Sequence, residues 1–375
     1  MSSLSHIIYP IKSSLIRFLI FFLPFIFLTS SFVSAKTDSL FLSDDVIRME
    51  LRSDFSSLLA GRAENPEYYN GELVYYSPGG DITKLSVRVI ARGNFRRNPE
   101  YCSFPPLFVN FRNGEVTNTL FDNQKKLKLV TPCQGDEDVV EEYLIYKMYN
   151  EVTDQSMKVR LAKISYFDTG TGKEVFERYS FFLEDKERTA NRNDAIAKDR
   201  FVTPFDLNRE SYKKMVFFQY IIGNKDWYIA SRKNVVIMQP NDPSVKPIAV
   251  PYDFDMSGFV NAEYSKPKDV PDYLLSSKRV YKGLCYTDDE LKEIFAFYEE
   301  LKPKFESIIN SVELLTNYNK KQILRYINHF YTVIKSKALI KREFLGICET
   351  PGDYNLFEVS QLSQNDENII RKSLQ

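Results

Sequence analysis

Apolar residues alternate with polar ones at Leu85, Val87 and Val89, and "GELVYYSPGGDITKLSVRVIARGNFRR" reads as two strands around a Gly-Gly turn. "PPLFVNF" and "KKLKLV" are two further short strands, separated by a loop that holds Asn113-Gly114. The period then changes. In "GDEDVVEEYLIYKMYNEV" Val140, Tyr143, Leu144 and Met148 fall on one helical face, and the acidic first turn suits the positive end of a helix dipole, so a helix is predicted from about Glu137 to Glu151. "VRLAKISYFD" and "RYSFFLED" return to β character around the turn at Gly170-Thr171-Gly172. "FLEDKERTANRNDAIAK" follows as a polar loop.

Beyond this loop helical periodicity dominates. "NRESYKKMVFFQYIIGN" places Tyr212, Met215, Val216, Gln219 and Ile222 on an inner face, with Asn208 as N-cap and Gly223 as the stop. In "TDDELKEIFAFYEELKPKFESIINSVELL" Thr287 caps a helix that Pro303 should kink or break. A last long helix contains Ile323, Tyr326, Ile327, Phe330, Tyr331 and Ile334 at helical spacing. The pattern therefore predicts an α+β fold, a β-rich N-terminal lobe joined to a helix-rich C-terminal lobe.

Between those helices, "NVVIM" and "KPIAV" are apolar runs separated by "QPNDPSV", whose Pro, Asn and Asp residues define a turn. They should pair as an antiparallel hairpin, which makes Asn234 and Asp253 neighbours. The loop leaving the helix at Gly223 brings Asp226 to the same edge. One amide oxygen beside one carboxylate, with a second carboxylate nearby, suits Mg²⁺, which takes few protein carboxylates and completes its shell with water and phosphate. Taken singly, these residues could equally cap turns, and Asp255 could simply end a strand; the ordered set points to a site.

The first 35 residues, with Lys12 and Arg17 ahead of an apolar stretch and Val33-Ser34-Ala35 before Lys36, have the form of a cleaved signal peptide. An uncleaved anchor is the alternative, because Leu15 to Val33 is almost long enough to span a bilayer. The segment holds two basic and no acidic residues, so the balance of 50 Lys+Arg against 50 Asp+Glu becomes −2 in the mature chain. That balance gives no reason to expect nucleic acid or an anionic membrane surface as a partner, and after cleavage no stable membrane insertion is expected. An exported location, periplasmic, envelope or extracellular, permits disulfides, and the four cysteines are expected to pair Cys102 with Cys133 and Cys285 with Cys348, each within one half of the chain. Four buried thiols are the alternative. His6 leaves with the signal segment and His329 sits on a helix as a packed or surface residue, which excludes a His-rich zinc site. Chemistry falls mainly to Asp, Glu, Asn, Lys and Arg.

The order of helix, Asp226, Asn234, hairpin and Asp253-Phe254-Asp255 resembles the catalytic core of a protein-kinase-like fold. No His-Arg precedes Asp226, seven residues rather than four separate it from Asn234, and G-x-G-x-x-G is absent, so this is not an ordinary protein kinase. "ARGNFRR", "EEYLIYKMYN", "FFLEDKE", "IIGNKDW", "RKNVVI" and "VPYDFD", spanning Arg92 to Phe259, resemble the spore-coat-protein-H-like (CotH) family of atypical secreted kinases. The resemblance implies a β-rich lobe over 36–180, a hinge over 181–187 whose backbone meets adenine near Glu184, a helical lobe over 188–350 and a tail over 351–375. It implies Asp226 as the catalytic residue at the attacking hydroxyl, and Asn234 and Asp253 as ligands of Mg²⁺ (or Mn²⁺). Lys128 would contact phosphate, paired with a helix glutamate, Glu141 or Glu142, and Arg92 would reach phosphate beside Gly93. ATP and a protein acceptor would be the partners. For Lys128 and Arg92, an exposed strand lysine and a structural turn arginine remain equal readings. Trp227 is expected to anchor the loop in the core.

Three functions fit these features. The first is an exported kinase acting on Ser or Thr hydroxyls, a reaction that needs no histidine. The second is a non-catalytic surface or envelope scaffold retaining the fold. The third, a glycosidase using Asp226 with Asp253 or Asp255, leaves Asn234 without a role.

Overall fold

The computed structural model describes residues 39–77, 79–112, 114–265 and 279–350. Residues 1–38, which include the segment read as a signal peptide, and the tail over 351–375 lie outside the described residues. Strands β1 (Ile47–Ser53), β2 (Tyr69–Tyr76), β3 (Ile82–Ala91), β4 (Leu107–Phe111), β5 (Lys126–Val130), β6 (Val159–Asp168) and β7 (Lys173–Leu183) form a closed barrel in the order β1-β2-β3-β4-β5-β7-β6. Neighbours are antiparallel except β1 and β6, which run parallel with Ile47 opposite Ala162. This closing pair removes the sheet's free edges. Alternate residues fill the interior: Leu51, Leu73, Val89, Leu107, Leu127 and Phe182 are fully buried there.

The mixed pattern between Asp44 and Leu59 resolves into β1 and a short helix, α1 (Phe55–Gly61), started by the Asp54 side chain, which accepts the Ser57 N–H. The expected helix is α2 (Glu137–Val152), set between β5 and β6. The segment read as a polar loop contains α3 (Lys186–Arg192) and β8 (Ala195–Lys198). Asp185 caps α3 by accepting the Glu187 N–H, a signal obscured by the run of charges around it.

The remaining elements are α4 (Arg209–Ile222), β9 (Val235–Pro240), β10 (Ile248–Pro251), α5 (Asp288–Ser311), α6 (Asn317–Val333) and α7 (Lys337–Ile340). β9 and β10 pair as the expected hairpin, with Val235 opposite Pro251, and β8 joins them in a second sheet. α5 does not break at Pro303: Leu301, Phe305 and Ile309 on either side are buried, and packing outweighs the lost backbone hydrogen bond. A second core gathers α2, α4, α5 and α6, with Tyr146 and Phe218 against Phe254 and Tyr298 against Phe330. The α+β architecture expected from the pattern, a β-rich N-terminal part followed by a helix-rich C-terminal part, is present. Disulfides join Cys102 to Cys133 and Cys285 to Cys348, the pairs expected from the sequence. No helix among the described residues is long and apolar enough to cross a membrane.

Candidate active site

α4 begins where Asn208 accepts the Ser211 N–H and ends at Gly223, which lies in the left-handed region at φ 64°. Gly223 is needed twice over, since a Cβ there would also lie 1.8 Å from the Tyr326 hydroxyl. Gly258 meets the same hydroxyl, and its N–H donates to the Gly223 carbonyl at 3.2 Å. The two glycines bring the loop after α4 against the segment after β10. Within that loop the buried Asn224 accepts the Asp226 N–H at 2.9 Å, and Trp227, 2% exposed, donates its indole N–H to the Asn224 carbonyl. Trp227 anchors the loop as expected.

Asp226 is held from two directions. The Asn234 amide donates to its carbonyl at 2.7 Å and to its carboxylate at 3.1 Å, and Lys233 forms an ion pair with the other carboxylate oxygen. The hairpin ladder continues past the strands, with the Tyr252 N–H donating to the Asn234 carbonyl at 3.0 Å. Asp253 is the next residue, so Asp226, Asn234 and Asp253 converge on one edge, as the sequence predicts. Arg232, Asn234 and Asp253 all have positive φ (52°, 53° and 63°). Left-handed non-glycine residues cost about 1–3 kcal/mol each and persist only where the surroundings impose them, and such strain clusters at functional sites.

What imposes the Asp253 conformation is α2. Its Tyr146 hydroxyl accepts the Asp253 N–H at 2.8 Å, and Glu142, one turn earlier on the same face, accepts the Phe254 N–H at 3.3 Å. Behind them Asp255, 5% exposed, lies 3.5 Å from the Arg96 guanidinium and accepts the Tyr264 hydroxyl at 3.2 Å. Burial, then the nearby Asp253, lifts Asp255 to about 6 against the pull of Arg96. Glu142 is raised well above the usual carboxylate range by burial and by Asp255 and Asp253.

Lys128 projects from β5 with its ammonium 4.4 Å from the centre of the Tyr252 ring. Burial and then Arg92 lower it to about 8, while Asp253 and Asp185 act in the opposite direction. The Arg92 guanidinium lies 5.7 Å from the Phe108 ring, and its buried Nε has no hydrogen-bond partner among the described residues. Gly93 beside it is required by its φ of 83° rather than by crowding, as a Cβ there would meet nothing within 4 Å. Lys128 and Arg92 thus form a cationic pair across from Asp253.

One expectation needs correction, and another is narrowed. Lys128 is not paired with Glu142 among the described residues: that carboxyl group is committed to the Phe254 N–H and shares its buried surroundings with Arg96. Glu141 faces away, lining a cavity on the other side of α2. The Glu184 carboxylate accepts from the Lys158 N–H, from Thr189 and twice from Arg192, which locks the start of α3 to the strand before it. The Glu184 N–H donates to the Lys158 carbonyl, so only its carbonyl is left for a nucleotide contact.

Sequence reasoning passed over Lys233, Tyr252, Tyr146 and Arg96. Lys233 was adjacent to a chosen residue, and only folding back of the loop, with the Tyr228 N–H donating to the Lys233 carbonyl, aims it at Asp226. Tyr146 and Glu142 carry a faint signal as two polar-tipped residues four apart on an apolar helix.

The donors suit a hard cation that keeps part of its own shell. With its amide group donating to Asp226, Asn234 retains a carbonyl oxygen that takes no hydrogen bond among the described residues, and Asp253 supplies a carboxylate. No group of three or more His, Cys, Asp and Glu side chains able to hold a metal occurs among the described residues. Two oxygen ligands completed by water and phosphate is a Mg²⁺ arrangement rather than a zinc one.

No protein-family profile matches the chain, and no curated protein does. Among solved structures, the chain is similar to the Helicobacter pylori proinflammatory kinase CtkA, at 11% identity and a TM-score of 0.36, over 64% of this chain and 91% of that one.

Proposed function

We propose that the protein is an exported, CotH-like atypical kinase that transfers the γ-phosphate of ATP to a Ser or Thr hydroxyl of a protein acceptor. The observation that carries this reading is the convergence of Asp226, Asn234 and Asp253 opposite Lys128 and Arg92. The acceptor oxygen forms a bond to the γ-phosphorus as the bond to the bridging oxygen breaks, ADP leaves, and the acceptor proton passes to Asp226. Lys233 holds Asp226 in place and adds positive charge where the phosphoryl group would pass. Lys128 and Arg92 balance the nucleotide's charge, and bound phosphates would favour the charged form of Lys128 that burial disfavours. Asn234 and Asp253 would hold Mg²⁺, whose contribution is to neutralise charge on the phosphates. α2 fixes the Asp253 backbone in advance through Tyr146 and Glu142.

The Lys233–Asp226 ion pair also fits a non-catalytic scaffold, because it occupies the carboxylate that would take the proton. One experiment separates the two readings. Labelled ATP with Mg²⁺ or Mn²⁺ is offered to the disulfide-bonded mature chain, to Asp226→Asn and to Asp253→Asn, with a Ser-rich acceptor. Label present in the parent and absent from both variants is the expected result. No label in any sample, together with no thermal shift from Mg-ATP, would overturn the kinase reading in favour of the scaffold.

A further inference from the structure

The first two turns of α2 present Glu137, Asp138 and Glu141 on one face, three and four residues apart, along one wall of a cavity of about 690 Å³. Acidic residues in a first turn are ordinary partners of a helix dipole. Glu141 is a different case. It lies beyond the first turn, is only 8% exposed, and takes no hydrogen bond or ion pair among the described residues. A buried carboxylate without a partner is costly, and here burial, then Asp138 and Glu137, push its carboxyl group up to about 9. Among the described residues no cation meets this side chain, which lines the cavity wall.

The facing wall shows why. Arg279 donates to the carbonyls of Tyr220, Ile221 and Tyr326 and stacks 3.8 Å from the centre of the Tyr326 ring, so it serves the backbone. Arg325 and His329, four apart on α6, are exposed on that wall and make no contact with Glu141. Tyr318 stands at the rim, 70% exposed. The cavity is also joined to the site. Its lining residue Gly258 donates to Gly223, three residues before Asp226, and the Phe259 N–H donates to the Ile222 carbonyl at 3.0 Å.

Resting on the phosphotransferase reading, we infer that this cavity is an acceptor-docking site in which Glu141, backed by Glu137, receives one arginine or lysine side chain of the protein acceptor. The volume is that of a ligand pocket, enough for a long side chain and its flanking backbone. Carboxylates that converge from one helix face suit a guanidinium or an ammonium group. Arg325 on the opposite wall repels a second cation, so the site selects a single basic residue rather than a basic run.

The test uses fluorescein-labelled Ser peptides with one Arg scanned through each position, each beside a twin carrying Gln, bound to the disulfide-bonded mature chain and followed by anisotropy. At one or two positions the Arg peptide is expected to bind about tenfold or more tightly than its twin. Glu141→Gln should abolish that difference while leaving the melting temperature unchanged or higher, since it removes an unpaired buried acid; Glu137→Gln should reduce it in part. Equal binding of Arg and Gln peptides at every position overturns the inference, as does a difference that survives Glu141→Gln. Binding needs no ATP. If discrimination is present without phosphate transfer, the docking site stands and the kinase reading falls; transfer without discrimination gives the reverse.

Discussion

The barrel and the small β8–β10 sheet are made of similar strands but treat their ends and polar groups in opposite ways. In the barrel every strand is paired, and Leu51, Leu107, Val109, Phe121, Leu127 and Phe182 are fully buried in one continuous core. Around the β9–β10 hairpin the chain carries residues in left-handed backbone, an ion pair on Asp226, and a carboxylate, Asp255, raised to about 6. One region lowers the free energy of the fold; the other holds conformations that the first must support. Substitutions should therefore separate cleanly into those that unfold the protein and those that silence it.

The sharpest separation should come from the hairpin edge. Asp226→Asn and Asp253→Asn are expected to lower phosphate transfer by about 10²–10⁴-fold, as loss of a general base or metal ligand does. The urea midpoint should stay close to that of the parent. A matching loss of stability would show that the two regions are not independent.

The barrel should give the opposite result. Phe182 is fully buried with its ring 5.4 Å from that of Phe121, and Phe182→Ala should cost about 3–5 kcal/mol, seen as a lower urea midpoint with an unchanged slope. Any Mg-ATP response that remains below the new midpoint should keep the parent's affinity.

Removing the Cys102–Cys133 link by a double Ala substitution opens a loop of sequence separation 31 and should cost about 2–4 kcal/mol. Here the comparison can blur. Arg96, six residues before Cys102, reaches Asp255 from the segment that the disulfide tethers, so nucleotide affinity should fall along with stability if Arg96 supports the site, and stability alone should fall if it does not.

Lys128 gives the smallest effect and runs against the others. Burial lowers it to about 8 in the folded protein, below its value of 10.5 in an open chain, so the unfolded state binds more protons between those values and stability should rise with pH across that window. Lys128→Met should accordingly stabilise by about 1–2 kcal/mol while weakening nucleotide binding. On the proposed kinase reading, Mg-ATP affinity of the parent measured by titration calorimetry should decline as pH rises through 8, because the charged lysine is the form that would meet phosphate. A flat profile from pH 7 to 9 would remove Lys128 from the binding site.

Local signals account for what could be read in advance. Asn208 and Gly223 bound α4 because cap preferences depend on a few neighbouring residues, and the turn between β9 and β10 is written in its Pro, Asn and Asp content. Given those two, the meeting of Asp226, Asn234 and Asp253 follows from hairpin geometry. The start of α3 was hidden because Asp185 stands among other charged residues, and β8 because four residues are too few to show a period. The Lys128–Glu142 pairing failed for a different reason. Glu142 had a nearer donor, the Phe254 N–H, which only packing of α2 against the hairpin supplies.

The sequence by itself determined the order of elements, the hairpin and the types of group at its edge, since these rest on periodicity, caps and turns that act over a few residues. Only the tertiary structure decided that β1 closes the barrel on β6, that Glu142 and Tyr146 hold the Asp253 backbone, and that Glu141 is buried without a partner among the described residues. Those are contacts between segments distant along the chain, and which donor meets which acceptor depends on how the surfaces pack, which no local pattern encodes.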